Sequence, residues 1–194
     1  MHKASVITIS TLLFLGACNA DGSQRETSKT SPVQEEAKEN RVSPAETAQA
    51  TVGNNTVTIN YGSPRVKGRT IWGGLVPYGE VWRTGANEAT TITFTQDVLI
   101  NGQLLKKDTY AFFTIPGPDM WTLIFNLNEK QWGAFKYSEA DDALRVNVAP
   151  TATSELFENM LFTITADSTN TGGIIQLAWE NIKVEFRFSN ALNP

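Results

Sequence analysis

The chain has 194 residues, a formal net charge of −4, one histidine and one cysteine. That balance offers no general surface for nucleic acid, and none is expected as a partner. A lone cysteine also excludes a disulfide within the chain.

The chain opens on Met1-His2-Lys3, and Ala4 to Ala17 is uncharged and largely apolar. That run has the length of a signal-peptide core and is too short to span a bilayer comfortably. It ends Leu15-Gly16-Ala17-Cys18, which resembles the lipobox of exported bacterial lipoproteins. The resemblance implies a signal peptide over residues 1–17, cleavage before Cys18, a diacylglyceryl thioether there, and usually an acyl chain on the new amine. Two or more chains hold a protein stably in a membrane. The expected location is therefore lipid-anchored at the outer membrane, facing the periplasm. Asn19, rather than Asp, after the cysteine favours that address by analogy with lipoprotein sorting, and surface display stays open.

Maturation would remove His2 and occupy Cys18. Histidine-dependent triads, thiol catalysis and His-ligated metals are then excluded. No glycine-rich phosphate loop is present either. No cofactor, metal ligand or catalytic residue is assigned. Asp141-Asp142 with Glu139 lacks the spacing of a calcium loop and reads as a solvated face.

Asn19 to Ala50 has no aromatic residue and only two large aliphatics, Val33 and Val42. Such a composition cannot offset the entropy of ordering the chain. Residues 18–50 are expected to be the lipidated cysteine and a disordered tether, spanning roughly 30 Å on average.

Residues 51–194 are expected to form one domain. They hold all five Trp, nine of the ten Phe, 11 Lys+Arg and 14 Asp+Glu. Thr56 to Asn60 and Thr90 to Thr95 alternate with period two, which predicts half-buried strands. Asp97 to Leu105 carries Asn101-Gly102 between apolar runs, a hairpin signal. Further strands are predicted at 110–115, 121–126, 144–148, 161–166, 174–179 and 183–188. Only Ser138 to Leu144, as a single turn, and Ala152 to Glu158 suggest helix. The fold class is all-β: a single antiparallel β-sandwich, jelly-roll-like, with little helix.

One stretch is unusual for a plain sandwich. Ser63-Pro64-Arg65-Val66-Lys67-Gly68-Arg69 is followed by Val76-Pro77-Tyr78-Gly79-Glu80-Val81-Trp82-Arg83-Thr84-Gly85-Ala86-Asn87-Glu88-Ala89-Thr90. Together with Thr109-Tyr110, Phe113-Thr114-Ile115-Pro116, Gln131-Trp132-Gly133 and Trp179-Glu180, these runs resemble the domain of unknown function 2911 family. The resemblance covers roughly residues 57 to 188 and implies no established activity. Asp108 departs from the small residue often found before the Thr-Tyr pair, which bears on a turn.

Within this stretch Arg65, Lys67 and Arg69 alternate. In an extended strand all three would point one way, within about 14 Å at roughly 3.3 Å per residue, and would clasp an anion. The alternative is a solvated edge strand protected by charge. Arg83 follows Trp82 in an apolar context and is expected to be partly buried, with Glu88 as the nearest carboxylate. Arg83, Glu88 and Asn87 are then either a structural ion-pair loop or the polar floor of a pocket. Trp121 and Trp179 lie within strand runs and are expected in the core. Trp132 and Trp72 lie in turn-like stretches and are the better candidates for the surface, where a ring would stack on a sugar; the alternative is that each pins its loop onto the core.

Three functions remain open. One is a non-catalytic binding module for an anionic or saccharide ligand, built from Arg65, Lys67, Arg69, Arg83, Asn87, Glu88, Trp132 and Glu180. The second is a structural or interaction protein of the envelope. The third is a carboxylate-dependent hydrolase acting on saccharides, whose pair would come from Glu80, Glu88 and Glu180 at roughly 5 to 9.5 Å.

Overall fold

A computed structural model of the chain describes residues 41–191. The expected signal peptide, Cys18 and the tether up to residue 40 lie outside the described residues. Ten strands follow one another. They are β1 (Ala45–Val52), β2 (Asn55–Gly62), β3 (Thr90–Phe94), β4 (Val98–Ile100), β5 (Gln103–Leu105), β6 (Thr109–Ile115), β7 (Trp121–Asn126), β8 (Asp142–Val148), β9 (Thr151–Ala166) and β10 (Gly172–Asn190). They form a six-stranded sheet, β1-β2-β3-β6-β7-β8, and a four-stranded sheet, β5-β4-β10-β9. Every pairing between strands is antiparallel, and the two sheets make an open sandwich.

Alternation builds the core as the sequence predicts. Ile59, Ile92, Phe112 and Phe125 of the larger sheet are buried, as are Phe162, Leu177, Phe186 and Phe188 of the smaller. Rings interlock across the gap: Phe112 stacks on Phe186 with centroids 5.8 Å apart, and Phe94 meets Phe188 at 6.0 Å. The β4–β5 turn is the predicted hairpin, with Asn101 (φ 48°) and Gly102 (φ 80°) both left-handed, as a type I′ turn requires. A smaller cluster of Ala89, Ala111, Phe113 and Ile124 sits apart from the main core, packed against Ala134 and Tyr137.

Three expectations are corrected. The domain boundary drawn at residue 51 falls inside β1, because Ala45–Val52 pairs in register along the whole of β2. The ladder supplies hydrogen bonds that the weakly apolar composition did not announce, and only small groups, Ala48 and Ala50, turn partly inward beside buried Val52. Ala152 to Glu158 is strand, part of β9, while Ser138 to Leu144 holds the one turn expected there, a 3₁₀ turn at Glu139–Asp141. The acidic run there is a solvated face only in part: Glu139 is exposed, whereas the Asp142 side chain is nearly buried, accepting from Tyr137 Oη at 2.6 Å and Asn126 Nδ2 at 2.7 Å.

The runs predicted at 174–179 and 183–188 are one strand, β10. Its register with β9 slips where Trp179 precedes Glu180 (φ 55°). There β10 advances from Ala178 to Glu180 while β9 retreats from Leu161 to Phe157. The bulged β9 residues turn to another partner. Val66 N–H donates to Glu158 O and Met160 N–H to Pro64 O, both within 2.9 Å. A bulge thus clamps the Arg65 segment onto the edge of the smaller sheet.

Candidate functional site: a basic pocket and a polar cleft

Four of the five tryptophans gather at one place in the core. Trp72 lies edge-on to Trp82, Trp121 and Trp179, at 5.7, 4.8 and 5.6 Å, and Trp82 stacks on Trp179 at 5.8 Å. Trp121 and Trp179 are buried as expected, whereas Trp72 is not the surface ring the sequence suggested. Its neighbouring glycines allow a tight turn that folds the ring inward, where three other indoles supply the contact area.

Against Trp82 and Trp179 lies a cavity of about 280 Å³, lined also by Arg65, Lys67, Arg69 and Arg83. The three alternating cations reach it by a route the sequence did not predict. They do not run along one strand. Arg65 makes an isolated bridge to Asn159, and the chain then turns through Lys67 (φ 49°) and Gly68 (φ 65°). Arg69 folds back, with Nε donating to the Val66 carbonyl at 3.1 Å and Nη2 donating to the Arg65 carbonyl. No carboxylate is among the lining residues. The nearby Glu158 carboxylate accepts from the Lys67 backbone N–H at 3.0 Å.

Arg83 is partly buried, and the expected pair with Glu88 does not form. Among the described residues Arg83 has no salt-bridge partner. Burial pushes its guanidinium below the ordinary arginine range, and the group stays cationic nonetheless. Its Nε and the Nε1 of Trp179 are buried donors without an acceptor among the described residues. Thr84 follows in the left-handed region (φ 53°), costly for a β-branched residue. Two threonines hold it there: Thr90 Oγ1 donates to the Thr84 carbonyl at 2.7 Å, and Thr84 Oγ1 donates to Thr114 Oγ1 at 3.1 Å. Behind this loop Gly62 admits Ala86 at a distance no side chain would allow, since a Cβ there would lie 2.2 Å from the Ala86 carbonyl oxygen.

Glu88 instead takes a two-pronged pair with Arg41, whose Nη1 and Nη2 donate at 2.5 and 2.8 Å. Arg41 also lies over the Trp132 ring, 6.0 Å from its centroid. These three residues edge a second cavity, a cleft of about 690 Å³. Its floor is the cross-strand row Thr47, Asn60 and Thr91, on the sheet face opposite the buried Ile59 and Ile92. Trp132 is 59% exposed, as the sequence suggested. Its turn is tied to the sheet: Ala89 N–H donates to Gln131 O at 2.9 Å, and Gly133 N–H to Asn87 O at 3.0 Å.

Arg65, Lys67, Arg69 and Arg83 therefore converge on one cavity, and Glu88 and Trp132 on the other. Asn87, Glu180 and Glu80 line neither. Asn87 (φ 66°) pins the chain, its Nδ2 donating to Ser43 O at 3.2 Å. Glu180 Oε2 accepts from the next backbone N–H, of Asn181, at 3.3 Å. Arg41 was read as tether, so sequence reasoning missed it.

An open β-sandwich with a tryptophan-floored basic pocket is thus the class of protein in hand. The family model described as protein of unknown function (DUF2911) matches residues 43–188, and the chain belongs to that family. No curated protein and no solved structure matches it.

Proposed function

We propose that this domain is a non-catalytic binding module whose basic pocket takes an anionic group. One observation carries the reading: four cations line a single small cavity that has no carboxylate in its lining, and two of the lining residues, Arg83 and Trp179, hold buried N–H donors without an acceptor among the described residues. Cations without an acid partner in the lining attract an anion's oxygens, and charge-assisted hydrogen bonds are the strong ones. Pro64, Lys67, Arg69, Trp82 and Arg83, from the two runs that carry the family resemblance, all line it. A volume near 280 Å³ suits a phosphate, a sulfate or the carboxylate end of an acidic sugar rather than a whole glycan.

Titration calorimetry of the full chain against inorganic phosphate, acetate and a hexuronic acid tests the reading. At least one is expected to bind, to weaken with added salt, and to lose at least about tenfold in affinity in Arg83→Gln. Silence across all three would sink it. The hydrolase reading gains nothing from Glu80 and Glu180, which do not share a cavity with Glu88.

The lipobox-like run supports an accompanying proposal, that the module hangs from a membrane through Cys18, at the outer membrane on the periplasmic side. A Cys18→Ser chain is then expected in the soluble fraction; unchanged membrane retention would refute the anchor.

A further inference from the structure

The cleft beside β1, β2 and β3 differs chemically from the basic pocket. Its cations are matched: Arg41 pairs with Glu88, and Lys130 lies 3.6 Å from Glu129. It therefore offers no unbalanced positive charge to an anion. Its most exposed large hydrophobic group is Trp132, the one indole outside the tryptophan cluster. Its floor is a row of short polar side chains, with Thr47 Oγ1 donating to Asn60 Oδ1 at 2.8 Å.

One lining residue is almost wholly buried and braces the turn. Gln131 is 4% exposed, and its Nε2 is used, donating to Asn128 O at 2.7 Å and Asn126 Oδ1 at 3.3 Å. Its Oε1 is buried and receives no donor among the described residues. The accessible polar groups are those of the floor: Thr47, Asn60 and Thr91 offer hydroxyls and an amide that pair with a ligand's hydroxyls. The C–H face of a pyranose ring fits an exposed indole, and its hydroxyls supply the donors. The volume, about 690 Å³, falls in the range of small-ligand sites and suits one or two sugar units.

We propose that this cleft is a carbohydrate site for an uncharged saccharide, stacked on Trp132 with its hydroxyls bonded to the polar row Thr47, Asn60 and Thr91. The turn that carries the ring is preformed. Besides the two backbone bonds to β3's approach, Gly133 (φ 66°) takes a conformation that places Phe135 where a Cβ would be, 2.8 Å away. The site is distinct from the basic pocket and does not depend on it.

The test is titration of the full chain with neutral oligosaccharides, namely N-acetylglucosamine oligomers and α- and β-linked glucose oligomers. Indole emission and calorimetry are read together. One of these sugars is expected to give a saturable shift in emission, since Trp132 is the exposed indole. Trp132→Ala should weaken it about tenfold, and Trp132→Phe, which keeps a stacking face, should recover part of the loss. Arg83→Gln should leave it unchanged. Two outcomes overturn the proposal: no response to any neutral sugar, or a response lost in Arg83→Gln and kept in Trp132→Ala. A Trp132-dependent response to unstructured peptides with none to sugars would also overturn it, in favour of a peptide groove.

Discussion

In the basic pocket the buried atoms still lacking a partner among the described residues are donors, Arg83 Nε and Trp179 Nε1; in the cleft the corresponding atom is an acceptor, Gln131 Oε1. The charges follow the same division. The pocket gathers four cations without a carboxylate in its lining, whereas the cleft pairs Arg41 with Glu88 and Lys130 with Glu129. Their foundations differ as well. The pocket rests on stacked indoles in the main core, and the cleft is edged by an ion pair at the surface. The two cavities therefore differ in the charge they present and in what they are built on, as well as in size.

Three changes probe that contrast. Trp82→Ala should act most strongly. It removes a buried ring that touches three other indoles, so a loss of about 3–5 kcal/mol is expected by urea denaturation. A loss under about 1 kcal/mol would mean that the indole cluster does not found the pocket.

Arg83→Leu should move stability the other way. It removes a partly buried cation with no acid partner and an unsatisfied N–H, at a cost of lost anion affinity. A gain of about 1 kcal/mol is expected, kept low because the side chain is not fully buried. If Arg83→Leu destabilises instead, the guanidinium has a structural role and the contrast with the cleft weakens.

Arg41→Gln should matter least to folding. The pair with Glu88 is solvent-accessible, with side chains 21% and 47% exposed, so under about 1 kcal/mol is expected, fading as salt is added. Sugar affinity in the cleft is the sharper readout for this variant, because Arg41 overlies Trp132.

Much of the sandwich was legible because alternation is a local signal. Ile92 and Phe94 share a face whatever their partners, and Asn101-Gly102 specifies its turn by itself. What failed was set by distant partners. β1 has no apolar stripe of its own and is a strand because β2 lies beside it. The first half of β9 is mostly exposed, so the composition of Ala152 to Glu158 carried no period to read. The site was half legible. Arg65, Lys67 and Arg69 were grouped for a reason that does not hold, an extended strand, yet a left-handed turn brings them to one cavity. Arg83 was expected to be partly buried, and it is. Its expected partner was the nearest acid in sequence, whereas Glu88 is claimed by Arg41, 47 residues away. No local pattern announces such a pair.

The bulge in β9 has a consequence beyond positioning the cations. β9 is the last strand of its sheet, and a bare strand edge invites another chain to add to it. Here Pro64 and Val66 take the hydrogen bonds that Glu158 and Met160 would otherwise offer to a neighbour. The rim that gathers positive charge is thus also the guard against strand-swapped aggregates. A chain that shortened this rim would expose an adhesive edge in the same stroke, so solubility as well as the proposed anion binding constrains the segment from Pro64 to Arg69.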